Sequence, residues 1–134
     1  MSEKSQYSIR KVLALPYAEA VEKTKEALSQ QGFGVLSEID MKEKLKEKLD
    51  VDYKHYVILG ACNPPLAYKA LQAEPEIGLL LPCNVIVYET HAGESVVSAV
   101  DPNAMLAIVG DNPVVAEVAR DARQRLEKAI AAIN

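Results

Sequence analysis

The chain has 134 residues, is 49% hydrophobic and 25% charged, carries a net charge of −4, and contains no tryptophan and one phenylalanine. That length suits one domain over 1–134 with an aliphatic core, burying roughly two-thirds of its unfolded surface, while the acidic balance argues against nucleic acid or an anionic membrane as partner. No apolar run reaches the roughly 20 residues of a bilayer span and Met1 to Lys11 is too polar for a signal peptide, so the expectation is a cytoplasmic protein whose two cysteines are thiols.

Tyr7 to Leu15 is rich in β-formers and reads as a strand that stops at Pro16. Pro16 fits the first position of a helix in which Tyr17, Ala20, Val21, Thr24, Ala27 and Leu28 recur at helical spacing. Gly32 can end that helix in a left-handed conformation, with Phe33 folding back on the last turn in a Schellman arrangement.

Gly34 to Ile39 is the second strand. Asp40 with Glu43 resembles a capping box and opens a short helix whose stripe is Met41, Leu45 and Leu49 and whose interleaved Lys and Glu make a solvated face. Tyr53 to Ala61 is a third strand, continuously apolar at its end as a central strand would be. Gly60 permits a turn or a close approach. Asn63 is an N-cap type with Pro64 behind it, and Leu66, Ala67, Ala70 and Leu71 line one face of a helix that Pro75 stops.

Ile77 to Leu81 reads as a buried or interface-lining loop. Val85 to Glu89 and Ser95 to Val100 form an antiparallel hairpin around Thr90 to Glu94. Asp101-Pro102 repeats the cap-then-proline arrangement and opens a short helix that Gly110 ends. Asp111 or Asn112, followed by Pro113, opens the last helix, with Val115, Val118, Ala119, Ala122, Leu126, Ala129, Ile130 and Ile133 on one face.

Four segments, Gly60-Ala-Cys-Asn-Pro-Pro-Leu-Ala, Gly78-Leu-Leu-Leu-Pro-Cys-Asn-Val, Val97-Ser-Ala-Val-Asp-Pro-Asn-Ala-Met and Gly32-Phe-Gly-Val-Leu-Ser-Glu-Ile-Asp, together resemble the domain of unknown function numbered 302. The resemblance covers nearly the whole chain. It implies an α+β domain of bacteria and archaea, a two-layer sandwich with a largely antiparallel sheet of about five strands covered by helices, and it implies a homodimer. It implies no reaction.

The repeated Cys-Asn pair, Cys62-Asn63 and Cys83-Asn84, marks the centre of the candidate site. Cys62 precedes the presumed N-cap, where unpaired N–H groups and the helix dipole would favour thiolate. If the flanking strands are neighbours, the thiols approach to disulfide range. Against chemistry stands the burial typical of free cysteine, together with the lack of a Cys-x-x-Cys pair. His55 and His91, with Asp101 or Glu89, match no zinc spacing, no glycine-rich run carries the groups of a phosphate loop, and nothing joins Ser98, His91 and Asp101.

Three readings follow. The first is a dimeric domain binding a small ligand with Cys62, Asn63, Cys83 and Asn84, the helix start at Asn63 favouring an anionic group. The second is a thiol redox enzyme or sensor using Cys62 with Cys83 as resolving partner. The third is an interaction module that presents the apolar 77–81 stretch. None calls for a cofactor or a metal.

Overall fold

The computed structural model describes residues 7–134. Five strands, β1 (Ser8–Leu13), β2 (Gly34–Asp40), β3 (Tyr56–Cys62), β4 (Cys83–His91) and β5 (Glu94–Val100), form one sheet in the order β1-β5-β4-β3-β2. Every neighbouring pair is antiparallel. The sheet thus has the α+β architecture and strand direction expected.

Alternation along the strands sends one set of side chains to a covered face. Leu13, Val57, Leu59, Ala61, Val85, Val87, Val97 and Ala99 meet α1 (Tyr17–Gln30) and α5 (Pro113–Ala132), which contribute Ala20, Val21, Leu28, Leu126, Ala129 and Ile130. Lys11 fastens the edge strand to the end of α5, donating from Nζ to the carbonyls of Ala131 at 3.0 Å and Ile133 at 2.6 Å. A cation there satisfies acceptors that the helix cannot.

A second apolar cluster lies beside the first. It joins Leu66 and Ala70 of α3 (Pro64–Ala73), Ile77, and Val115, Val118 and Ala122 of α5. The 77–81 stretch is a corrected expectation: Pro75–Leu80 is a 3-10 turn, in which Ile77 is buried and Leu79 is 82% exposed. Packing of Ile77 under α3 holds the turn.

The helix ends follow their local chemistry. Gly32 has φ +84°, Phe33 N–H donates to the Leu28 carbonyl and Gly32 N–H to that of Ser29, both at 3.0 Å, which is the Schellman pattern. Asp40 caps α2 (Met41–Leu49) by accepting from Glu43 N–H at 2.9 Å. Asn112, rather than Asp111, caps α5 through Val114 and Val115 N–H. Asp101 caps a 3-10 turn, Pro102–Met105, that leads into α4 (Leu106–Val109).

Other expectations need correction. Pro16 is the N-cap of α1, one position earlier than its fixed φ alone suggested. Residues 53–55 lie outside β3, and β4 begins at Cys83, so the hairpin turn shrinks to Ala92-Gly93. The Met41, Leu45, Leu49 stripe of α2 reaches no core: the helix has no buried residue, and Leu49 is 66% exposed. Met41 and Leu45 are half-buried against the ends of β2 and β3, so the stripe is covered at its start and open at Leu49.

The sheet face turned away from α1 and α5 is partly overlain by the segment before β3, with Tyr53 6.2 Å from Tyr56 and Lys54 Nζ 4.8 Å over the Tyr88 ring. Tyr56, Ile58, Ile86, Tyr88, Val96 and Val12 lie on it by register, and Tyr56 stacks on its cross-strand partner Tyr88 with ring centroids 5.5 Å apart. No helix among the described residues is long and apolar enough to cross a membrane.

Candidate functional site

β3 and β4 end side by side, and the two cysteines sit at that shared end. Ala61 pairs with Cys83 in the ladder, so Cys62 is one residue beyond the backbone partner of Cys83. Both cysteines are free thiols and both line a cavity of about 40 Å³. Its floor is Ala61 and Phe33. Its walls are Leu66, Ala67 and Ala70 of α3, Val118, Ala119 and Ala122 of α5, and Pro82, while Met105 closes one side. The cavity therefore lies at the seam between the two apolar clusters, and its surface is almost wholly apolar.

Asn63 belongs to the lining but is already committed. Its Oδ1 accepts from Leu66 N–H at 3.3 Å, and its Nδ2 donates to the Gln31 carbonyl at 3.4 Å. The next two residues are Pro64 and Pro65, which have no N–H, and Ala67 N–H donates to the Asn63 carbonyl. The start of α3 thus has no spare donor. The anion-binding and thiolate-stabilising roles expected of this helix start lose their donors for that reason.

Cys83 is 7% exposed, and burial, with the neighbouring Cys62 adding to it, pushes its thiol from 9.0 up to about 11. A protonated, apolar-walled thiol is a poor nucleophile near neutral pH. Cys62 is half-buried.

Asn84 does not line the cavity. It is the next residue along β4, so the pleat turns it to the face away from α1 and α5, opposite Gly60, where it is exposed. Gly60 itself is explained by crowding: a Cβ there would collide with the Ser37 side chain and lie 2.9 Å from Pro82 Cγ. The expected close approach is therefore between β2, β3 and Pro82, on the rim of the cavity.

The remaining polar candidates are dispersed. His55 stacks on Tyr17 at 4.9 Å, and His91 faces Glu94 at 3.2 Å at the hairpin end. Asp101 pairs with Arg123 at 3.1 Å at the far end of β5, roughly 20 Å of strand away from that hairpin. Ser98, His91 and Asp101 are not brought together. Tyr17 is pushed up to about 12, first by burial and then by Asp40, Glu38 and Glu89. Among the described residues no group of three or more His, Cys, Asp or Glu is placed to hold a metal ion.

A larger groove of about 540 Å³ runs beside α2 between Asp40, Lys46, Asp52 and His55. Its charges answer one another, with Lys46 2.9 Å from Asp50 and 3.7 Å from Asp52. Exposed pairs of this kind are worth little and make a solvated surface.

Met105, Phe33, Ala119 and Ala122 were not among the residues singled out for the site. The signal for the two alanines was present in the small, regularly spaced residues of α5, and Met105 had none.

Comparison with known proteins agrees with this architecture. Residues 9–133 match the sequence profile described as "Domain of unknown function DUF302". The chain is similar to a solved structure, the crystal structure of uncharacterized conserved protein DUF302 from Bacillus stearothermophilus, at 30% identity and a TM-score of 0.87, over 97% of this chain and 100% of that one. No curated protein matches.

Proposed function

This chain belongs to the DUF302 family, and we propose that it is a small-ligand-binding domain whose site is the Cys62–Cys83 cavity. The observation that carries this is the cavity itself: an apolar pocket with two thiols at the meeting point of two hydrophobic clusters, where close packing would be the default. Its size selects the ligand. At about 40 Å³ it is far below the roughly 300 Å³ at which drug-sized pockets begin, so the ligand is one to a few heavy atoms. The walls favour an uncharged or soft group over an anion, since α3 offers no free N–H.

Thermal unfolding in the presence of small apolar and thiophilic compounds tests this, because a ligand that binds only the folded state raises the midpoint with its concentration. Ala119→Val, which fills the cavity, should abolish the shift. A shift that persists in Ala119→Val places the ligand elsewhere.

A homodimer is a second part of the reading, and the sheet face turned away from α1 and α5 favours it. Its centre, Tyr56, Ile58, Ile86, Tyr88 and Val96, contributes no carboxylate, whereas the chain as a whole is acidic with net charge −4. The charges beside it are the cations Arg10, which donates to Tyr88 Oη at 3.3 Å, and Lys54, 4.8 Å over the Tyr88 ring, so two acidic chains meeting there bring no carboxylates together at its centre. Light scattering at micromolar concentration should return twice the chain mass, and Ile58→Lys should return the single mass. A wild-type monomer removes this part of the reading.

A further inference from the structure

Three sulfur-bearing residues from three separate segments line one cavity: Cys62 at the end of β3, Cys83 at the start of β4 and Met105 at the end of the 3-10 turn. We infer that the ligand of this site is a soft monovalent metal ion, Cu(I), held by the sulfurs of Cys62, Cys83 and Met105. The inference rests on the ligand-site reading above and names its ligand class.

The donor set decides the metal. Thiolate and thioether sulfurs select soft ions, and Cu(I) accepts low coordination numbers. Structural zinc takes four ligands in a tetrahedral array, and the lining supplies three sulfurs with no histidine or carboxylate. Hard cations such as calcium and magnesium need several oxygens. The one side-chain oxygen of the lining, Asn63 Oδ1, is engaged by Leu66 N–H at 3.3 Å.

The two cysteines come from the neighbouring ends of β3 and β4, and both line the cavity. Cys83 shares the covered face with its ladder partner Ala61, whereas Cys62 is the last residue of β3, where the chain leaves the pleat for Asn63 and α3. Met105 comes from the turn that Asp101 caps, and Asp101 is itself held by Arg123 at 3.1 Å, so the thioether hangs from an anchored segment. The cavity volume of about 40 Å³ matches a single ion better than an organic molecule. On binding, two S–H bonds give way to two S–Cu bonds, two protons leave to solvent and copper remains in the +1 state. The ion's charge offsets thiolates that burial would otherwise penalise.

The test is anaerobic titration of the full chain with Cu(I) supplied as its bis-bicinchoninate complex. The expected result is transfer of one equivalent per chain, with growth of thiolate-to-copper absorption in the ultraviolet. Cys62→Ser and Cys83→Ser should each weaken binding about a hundredfold or more, and Met105→Leu about tenfold. Met105→Leu conserves volume, so it reads the site even if a cysteine variant folds poorly. Failure to take copper from the complex overturns the inference, as does half an equivalent per chain or binding that survives Cys83→Ser. If copper fails while an apolar probe still raises the midpoint in wild type but not in Ala119→Val, the inference falls and the ligand site stands. If neither binds, both fall.

Discussion

Asn63 donates from Nδ2 to the Gln31 carbonyl at 3.4 Å, and so ties the start of α3 to the end of α1. The same side chain accepts Leu66 N–H through Oδ1, and it is 8% exposed. Gly32, beside Gln31, fits this contact: at its φ of +84° a Cβ would stand 3.0 Å from Asn63 Nδ2. Asn63 is thus a cap and a tether at once.

Asn63→Ala removes both roles and should cost about 1 kcal/mol, chiefly the lost N-cap, because the half-buried Gln31 carbonyl still accepts from Arg125 Nη1 at 3.4 Å. Asn63→Asp retains the cap acceptor and should cost less. Urea denaturation checks this, and an unchanged midpoint for Asn63→Ala would show that neither bond matters.

Gly60→Ala should destabilise the fold by about 1–3 kcal/mol through overpacking between the Ser37 side chain and Pro82 Cγ. Ser37→Gly in the same chain relieves one of the two collisions and should recover part of the loss. Thermal midpoints of the two single variants and the double variant measure the coupling, and simple additivity would contradict the contact.

Stability should fall at alkaline pH because of Cys83. Burial holds its folded-state thiol near 11 against 9.0 when exposed, so the unfolded chain loses its proton first. The contribution is fully present below pH 9 and is lost as pH rises from 9 to 11, on the order of 2 kcal/mol in total. Tyr17, raised from 10.0 to about 12, adds a further loss in the same direction above pH 10. Chemical denaturation across this range should show a shallower slope in Cys83→Ala. An equal slope would mean that the thiol is solvated.

Backbone punctuation was legible in the sequence. Asn63, Asp101 and Asn112, each followed by proline, cap the elements expected of them, and Gly32 with Phe33 closes α1. Strand order was not, because antiparallel partners are chosen by packing between distant segments. The separation of Asn84 from the cavity has a simple cause: Cys83 and Asn84 repeat the letters of Cys62 and Asn63, but a strand turns consecutive side chains to opposite faces, whereas Asn63 begins a helix. The missing helix-start donors were readable from Pro64-Pro65. Met105 was not, since only the fold carries it to the two cysteines.

Methyl NMR of the protein under xenon pressure tests the cavity at the centre of this account most directly, because apolar cavities of protein interiors take up xenon. The account predicts saturable shifts of the Met105 ε-methyl together with the Ala61 and Ala119 methyls, lost at Met105 and Ala61 in Ala119→Val. Non-saturating shifts confined to exposed side chains such as Leu79, or shifts unchanged in Ala119→Val, would contradict a ligand site between Cys62 and Cys83.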